Sequence, residues 1–315
     1  MLKQSRGVST FLVVVVVIII LAAAAVAYYA VLVSRSGPSS SSTTPTTSLS
    51  TTSSSSSTSS SATSSSCGSV ITTDTTLSAS IGPCSGNGLV IGANSITLDC
   101  AGQTISSTRG TNAGINLTGR TKVTVENCEV TGFQYGIGLA GSSGNTLSGN
   151  TASKNQRSGF FLISSSNNSL TRNTASNNLG DGFDSFSSSS NNLAGNTASS
   201  NGNDGFTFGS SSNNNLTGNT ANSNSVAGFE LYSSSNNTAS GNTANSNGDD
   251  GFYLTGSTGN TFSGNTANNN AYYYGYSDNS KGSGTAGTAN FYTGDECSGN
   301  GHGGSSPSGL GSPQS

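Results

Sequence analysis

Between Asn145 and Asn270 apolar side chains recur in columns set by one period. The first column reads Leu147, Leu170, Leu193, Leu216, Ala239 and Phe262, the second Ala152, Ala175, Ala198, Ala221, Ala244 and Ala267, and every step is 23 residues. Fixed self-similarity at such a period marks a solenoid, each repeat one coil stacked on the next. In four of the coils a Gly-Phe pair opens an alternating segment: GFFL at Gly159, GFTF at Gly205, GFEL at Gly228 and GFYL at Gly251. Alternation of period two is a strand signal. It sets Phe160, Phe206, Phe229 and Phe252 on one face, with Leu162, Phe208, Leu231 and Leu254 two residues later. Helical repeats need longer runs of helix formers than this segment contains. The pattern therefore predicts an all-β parallel β-helix. The glycine register Gly114, Gly136, Gly159, Gly182, Gly205, Gly228, Gly251 and Gly275 gives about eight coils, a rod of roughly 40 Å. Ser185 interrupts the inward column, and Phe186 beside it predicts a small bulge.

The polar positions keep the same period. Asparagine fills three columns: Asn145, Asn168, Asn191, Asn214, Asn237, Asn260; Asn150, Asn173, Asn196, Asn219, Asn242, Asn265; and Asn155, Asn178, Asn201, Asn224, Asn247, Asn270. Asparagine tolerates left-handed backbone at corners. Stacked at about 4.8 Å, its amide can donate and accept along a column. These asparagines are read as structural ladders at three corners per coil. Threonines are in register too (Thr151, Thr174, Thr197), but one per coil is a thin array for binding ice.

Upstream the pattern changes twice. Residues 11–33, FLVVVVVIIILAAAAVAYYAVLV, carry no charge and are long enough to cross a bilayer as a helix. Lys3 and Arg6 in the short basic leader 1–10 favour an N-terminus inside and the remainder outside. Residues 34–66 are almost entirely Ser and Thr, a linker with nothing to form a core. The segment SRGVSTF, a basic leader ending in Arg6-Gly7 before an apolar helix, resembles the class III signal of archaeal type IV pilin-like proteins. That resemblance implies cleavage after Gly7, although Leu12 stands at the fifth mature position, where bacterial pilins commonly have Glu.

Only 7% of residues are charged and the net charge is −3, so no electrostatic attraction to nucleic acid is expected. Residues 67–113, CGSVITTDTTL onward, are strand-rich and read as an N-terminal cap with the first strands. A solenoid needs its end coil covered, and disulfides suit an exported setting. Cys67–Cys84 and Cys100–Cys128 are the first pairings to consider, leaving Cys297 over, although spacing leaves the connectivity open. The repeats proper span 114–278. Residues 279–315 lose the register and read as a C-terminal cap, with Tyr272 to Tyr276 over the last coil, and a Gly/Ser-rich tail.

CGSVITTDTTL, GLVIGANSITLDCAGQTI and the GNTAS…GF repeats resemble the right-handed parallel β-helix repeat proteins, often grouped as NosD-like or carbohydrate-binding and sugar-hydrolysis domains. The resemblance covers about residues 67–278 and implies a right-handed coil. It does not carry chemistry. One member is tied to copper delivery. Copper wants Cys, His or Met ligands, and this chain has one His, His302, and one Met, so no copper site is expected.

Candidate chemistry lies on the outward position of the Gly-Phe strands, which reads Phe161, Asp184, Thr207, Glu230 and Tyr253. Carboxylates flanked by aromatics along one row suit a sugar-binding groove. Asp184 and Glu230, two coils and so about 9–10 Å apart, stand at the upper edge of the spacing used by inverting glycosidases. Asp181, Asp204 and Asp250 form a neighbouring column that offers oxygen ligands to Ca²⁺, or simply shapes Asp-Gly corners. No Lys or Arg column supplies the base of a polysaccharide lyase. Three functions follow: a membrane-anchored surface module binding polysaccharide or envelope glycans without cleaving them, a polysaccharide-degrading enzyme (glycosidase or lyase), or a structural envelope or pilin-like component.

Overall fold

The computed structural model describes residues 62–63, 65–108 and 110–313. The apolar run 11–33, the leader before it and nearly all of the linker lie outside the described residues. Among the described residues no helix is long and apolar enough to cross a membrane.

Among the described residues, strands from successive coils stack in parallel into three sheets of eleven strands each, so the solenoid extends beyond the eight coils of the glycine register. We name the sheets by their inward residues. The Phe sheet contains strands such as Phe160–Ile163, Phe183–Phe186, Phe206–Gly209, Phe229–Tyr232 and Phe252–Thr255. The Leu sheet contains Ser169–Thr171 and its equivalents, the Ala sheet Thr174–Ser176 and its equivalents. The register is residue for residue: Leu147 on Leu170 and Ala152 on Ala175. Phe160, Phe183, Phe206, Phe229 and Phe252 stack with ring centroids 4.6–4.8 Å apart, the spacing of the coils themselves.

The ladders form as expected, with one correction. Up to the last asparagine of each column, Nδ2 donates to the Oδ1 of the asparagine in the next coil at 2.9–3.1 Å. The left-handed backbone belongs to the residue before each ladder asparagine, for example Lys154 (φ 55), Arg172 (φ 53) and Asn177 (φ 55). That residue turns the corner, and the asparagine points inward to tie the coils together. A fourth ladder, of buried serines, accompanies them. Each backbone N–H in the column Ser142, Ser165, Ser188, Ser211, Ser234 donates to the Oγ of the next serine at 3.0–3.2 Å.

Glycine opens each Phe strand because there is no room for more. A Cβ on Gly159 would lie 2.9 Å from the Cβ of Ala175, and the same holds along the column. Small inward alanines and these glycines therefore require each other. Ser185 forms no bulge. It pairs in register between Leu162 and Phe208, is buried, and its hydroxyl has no hydrogen-bond partner. Phe186 stays on the outer side of the strand, because the parallel register holds across all four residues.

At the front, residues from Ser69 onward are themselves coils of the solenoid. Disulfides join Cys67 to Cys84 and Cys100 to Cys128. Cys128 N–H donates to Asn150 Oδ1, so the second bridge occupies the corner that the Asn150 column holds in later coils. Beyond Asp278 the coil resumes rather than ending. Tyr276 enters the aromatic stack on Phe252 instead of covering it, because a further strand, Gly303–Ser306, pairs above it. The ladders continue through Asn290, Asp295 and Asn300 after a separation of 30 residues instead of 23. Cys297 is a free, buried thiol that ends the Ala column on Ala267.

Candidate functional site

The outer face of the Phe sheet gathers the titratable side chains. Strand register sets Phe161, Asp184, Thr207, Glu230 and Tyr253 in one row, each one coil above the last. The turn preceding each strand contributes Asp181, Asp204 and Asp250. These aspartates also work on the backbone. Asp181 Oδ1 accepts from Asp204 N–H at 3.2 Å, Asp204 Oδ1 from Ala227 N–H at 2.6 Å, and Asp250 Oδ1 from Tyr274 N–H at 2.8 Å. Among the described residues no group of three or more His, Cys, Asp or Glu is disposed to hold a metal ion.

Crowding of acids on a half-buried face favours their neutral forms. Burial, then the charge of Asp181, pushes Asp184 up to about 7, with Ser158 Oγ donating to its Oδ2 at 3.3 Å. Asp181 is raised chiefly by burial. Asp204 and Glu230 lie against each other; burial first, then neighbouring carboxylates, raises both. Burial raises Asp250 to about 6. The Tyr232 hydroxyl, beside Asp184 and Glu230, is pushed up to about 12, mainly by burial. Thr207, expected at the surface, is buried in the middle of the row with its hydroxyl toward Asp181.

Two recesses open along this face. The larger, about 500 Å³, is lined by Asp204, Glu230, Asp249, Asp250 and the rings of Tyr253, Tyr273 and Tyr274. The smaller, about 300 Å³, lies toward the front and is lined by Asn87, Asn112, Asn116, Gln134, Tyr135 and Phe161 among others. Tyr135 and Phe161 stack there at 4.4 Å. The row thus joins an aromatic and amide-rich recess at one end to an acidic, tyrosine-lined one at the other.

Sequence reasoning missed two contributors. Arg157 lies near Asp184 and donates to the Tyr135 hydroxyl at 3.4 Å. His302, set apart in the glycine-rich tail, packs edge-on against Tyr273 and Tyr274 and lies near Asp250. Both come from turns whose direction the period does not encode. The Ser ladder, by contrast, was visible as serines recurring every 23 residues.

A family model described as "Right handed beta helix region" matches residues 62–221, 113–267 and 180–303 in overlapping passes. Among solved structures, a mutant of the periplasmic alginate epimerase AlgG is similar at 16% identity and a TM-score of 0.55, covering 76% of this chain and 66% of its own. The Dettilon tailspike protein is similar at 17% identity and a TM-score of 0.52, covering 75% and 51%. The chain therefore spans just under two thirds of the epimerase and about half of the tailspike. No curated protein matches the chain in sequence.

Proposed function

We propose that this chain, which belongs to the right-handed β-helix family, binds a polysaccharide along the outer face of its Phe sheet. One observation carries the reading: a single row of outward side chains links two recesses, each supplied with aromatic rings and hydrogen-bonding groups. Aromatic faces beside a few convergent polar groups are how an apolar sugar face and its hydroxyls are held. From Phe161 to Tyr253 the row climbs four coils, about 19 Å. The rise per coil is close to the length of one sugar residue, so an extended glycan can lie along the axis. The alginate epimerase named above acts on a polysaccharide with a solenoid of the same fold; the likeness is one of fold, and the row of side chains carries the assignment.

In this reading the apolar run 11–33 anchors the chain with its N-terminus inside. The Ser/Thr stretch is a stalk, and the solenoid faces outward to bind without cleaving. A second reading is favoured by one feature, the Asp204–Glu230 pair. Two neighbouring carboxyls, both raised by burial, can act as acid and base, which would make the protein an enzyme on the same face.

The test incubates the full chain with a panel of polysaccharides and records both retained protein and newly released chain ends. Retention is expected, weakened at least tenfold by Tyr135→Ala with Phe161→Ala, whose half-exposed rings leave the core intact. Released ends that vanish in Glu230→Gln would establish the second reading. Retention unaffected by either set of variants would place any glycan site elsewhere.

A further inference from the structure

The outward row continues past Phe161 toward the front of the solenoid. Register sets Val90, Asn116, Gly138 and Phe161 one coil above another. From Val90 to Ser277 every other position of the row carries a side chain, and Gly138 carries none. The strand does not require a glycine there. Its φ lies outside the left-handed region, and an added Cβ would meet only the Cβ of Ala113, at an ordinary 3.5 Å. Two residues earlier Gly136 differs, since a Cβ there would stand 2.7 Å from the Cβ of Ala152. Packing fixes Gly136, whereas the absent side chain of Gly138 leaves space. Asn116 and Phe161 stand two coils apart, about 9–10 Å, with a notch between them.

Gly138 lines the smaller recess, whose volume of about 300 Å³ lies at the small end of ligand-sized sites. Tyr135 and Phe161, stacked 4.4 Å apart, border it together with the amides of Asn87, Asn112, Asn116 and Gln134. Two of these amides are held in one orientation. Asn87 Oδ1 accepts Ala113 N–H at 3.2 Å, and Asn116 Oδ1 accepts the N–H and hydroxyl of Thr118 at 2.9 and 2.6 Å. With its oxygen engaged, each keeps an Nδ2 to donate to a ligand. No charged side chain lines the recess. Arg157 reaches the Tyr135 hydroxyl from outside the lining and lies near Asp184, which offsets its charge. A carboxylate moved here would leave water with no lining cation to pair it, whereas amides satisfy a hydroxyl and aromatic faces cover the C–H face of a ring.

We infer that the front recess is a subsite for an uncharged sugar residue, seated against Tyr135 and Phe161 with its edge in the notch at Gly138. Its hydroxyl oxygens accept from Asn87 and Asn116 Nδ2. The inference rests on the glycan reading above; it names the class of sugar taken at the front of the row and assigns Gly138 as the residue that admits it. A uronate in the same seat would find no cation among the lining residues, and its neighbours along the chain would meet the carboxyls of the middle row.

The experiment titrates the full chain near neutral pH with matched pairs of oligomers: glucose, mannose and galactose chains, and the uronate chains that differ only by a carboxylate at C6. At least one uncharged oligomer should bind, roughly tenfold or more tightly than its uronate counterpart. Gly138→Val, which fills the notch, should weaken that binding by roughly tenfold. Gly138→Ala, whose Cβ the fold accepts, should weaken it less at an unchanged urea midpoint, so the test does not depend on the larger variant folding. Bound oligomer should also slow hydrogen exchange in the strand Tyr135–Ala140 of the unmodified chain. Uronate oligomers binding as tightly as their uncharged partners would overturn the sugar class and leave glycan binding standing. Uncharged oligomers that bind both Gly138 variants like the parent, while Tyr135→Ala with Phe161→Ala weakens them, would remove the notch from the site and again spare the glycan reading. Binding of no oligomer or polymer of sugar at all would defeat the glycan reading itself.

Discussion

Replacing Asn219 by alanine removes a middle rung of a buried ladder. Its Nδ2 donates to Leu193 O at 2.9 Å and to Asn242 Oδ1 at 3.0 Å, and its Oδ1 accepts Asn196 N–H at 2.9 Å and Asn196 Nδ2 at 3.0 Å. Alanine leaves two donors of Asn196 facing a dry gap. Asn242 Oδ1 keeps one bond, from the backbone N–H of residue 219 at 2.8 Å. At about 1–3 kcal/mol per stranded buried group, the two donors alone cost about 2–6 kcal/mol, a large part of a typical domain's stability. Asn219→Asp should also destabilise. It keeps the acceptors but turns a carboxylate oxygen toward a carbonyl and an amide oxygen. The chain itself supplies the control, because Asp295 stands at the last rung. There it accepts from Asn265 N–H and Nδ2 at 2.8 and 2.7 Å, and its second oxygen takes Thr293 N–H at 3.1 Å. No further asparagine follows that needs a donor, so Asp295→Asn keeps both Asn265 bonds and strands only Thr293 N–H, a loss of about 1–3 kcal/mol that stays below that of Asn219→Ala. Urea unfolding of the full chain, followed by circular dichroism, measures the three variants. Hydrogen exchange locates the loosened coils, since a broken rung can uncouple neighbours and lower the m-value. Asn219→Ala within about 1 kcal/mol of the parent, at an unchanged m-value, would refute the ladder account.

Ser185 buries a hydroxyl with no partner, so Ser185→Ala should be neutral or raise stability by about 1 kcal/mol, and a loss above that would mean the hydroxyl is satisfied after all. Stability should also fall as pH rises from about 4 toward 8. Asp184 and Asp250 titrate near 7 and 6 in the folded chain against 3.8 unfolded, so over this window the folded state holds protons that the unfolded state has released. The stabilisation is full below the unfolded value and is lost as pH passes the folded ones. For Asp184 it amounts to about 2–4 kcal/mol after allowance for its partial exposure. The melting temperature should be higher at acid than at alkaline pH, Asp184→Asn should flatten the slope, and a melting temperature that climbs steadily with pH would contradict the burial of these acids.

Much of the fold was legible because a solenoid converts distance along the chain into position in space. Residues one period apart stack at the spacing of adjacent strands, so Leu147 on Leu170 and Asn150 on Asn173 follow from counting. The same counting placed Asp184, Thr207 and Glu230 in one row. It failed where the period says nothing. Periodicity does not tell which residue of a corner takes the left-handed turn, so the asparagines received a role that belongs to the residues before them. It could not carry the ladders across the longer segment between Asn260 and Asn290, where the insertion hid their continuation.

By itself the sequence determined the parallel coil, its three corners, the inward columns and the acidic outer row, because each coil need only match its neighbour. Tertiary structure alone decided what lies sideways from that row. Turns outside the repeat's columns bring Arg157 to Asp184 and His302 to the tyrosines, and Thr207, outward in the strand alternation, is buried among the acids. Those contacts join different columns, and the direction of a side chain between columns depends on local turn geometry and packing, which repeat spacing does not carry.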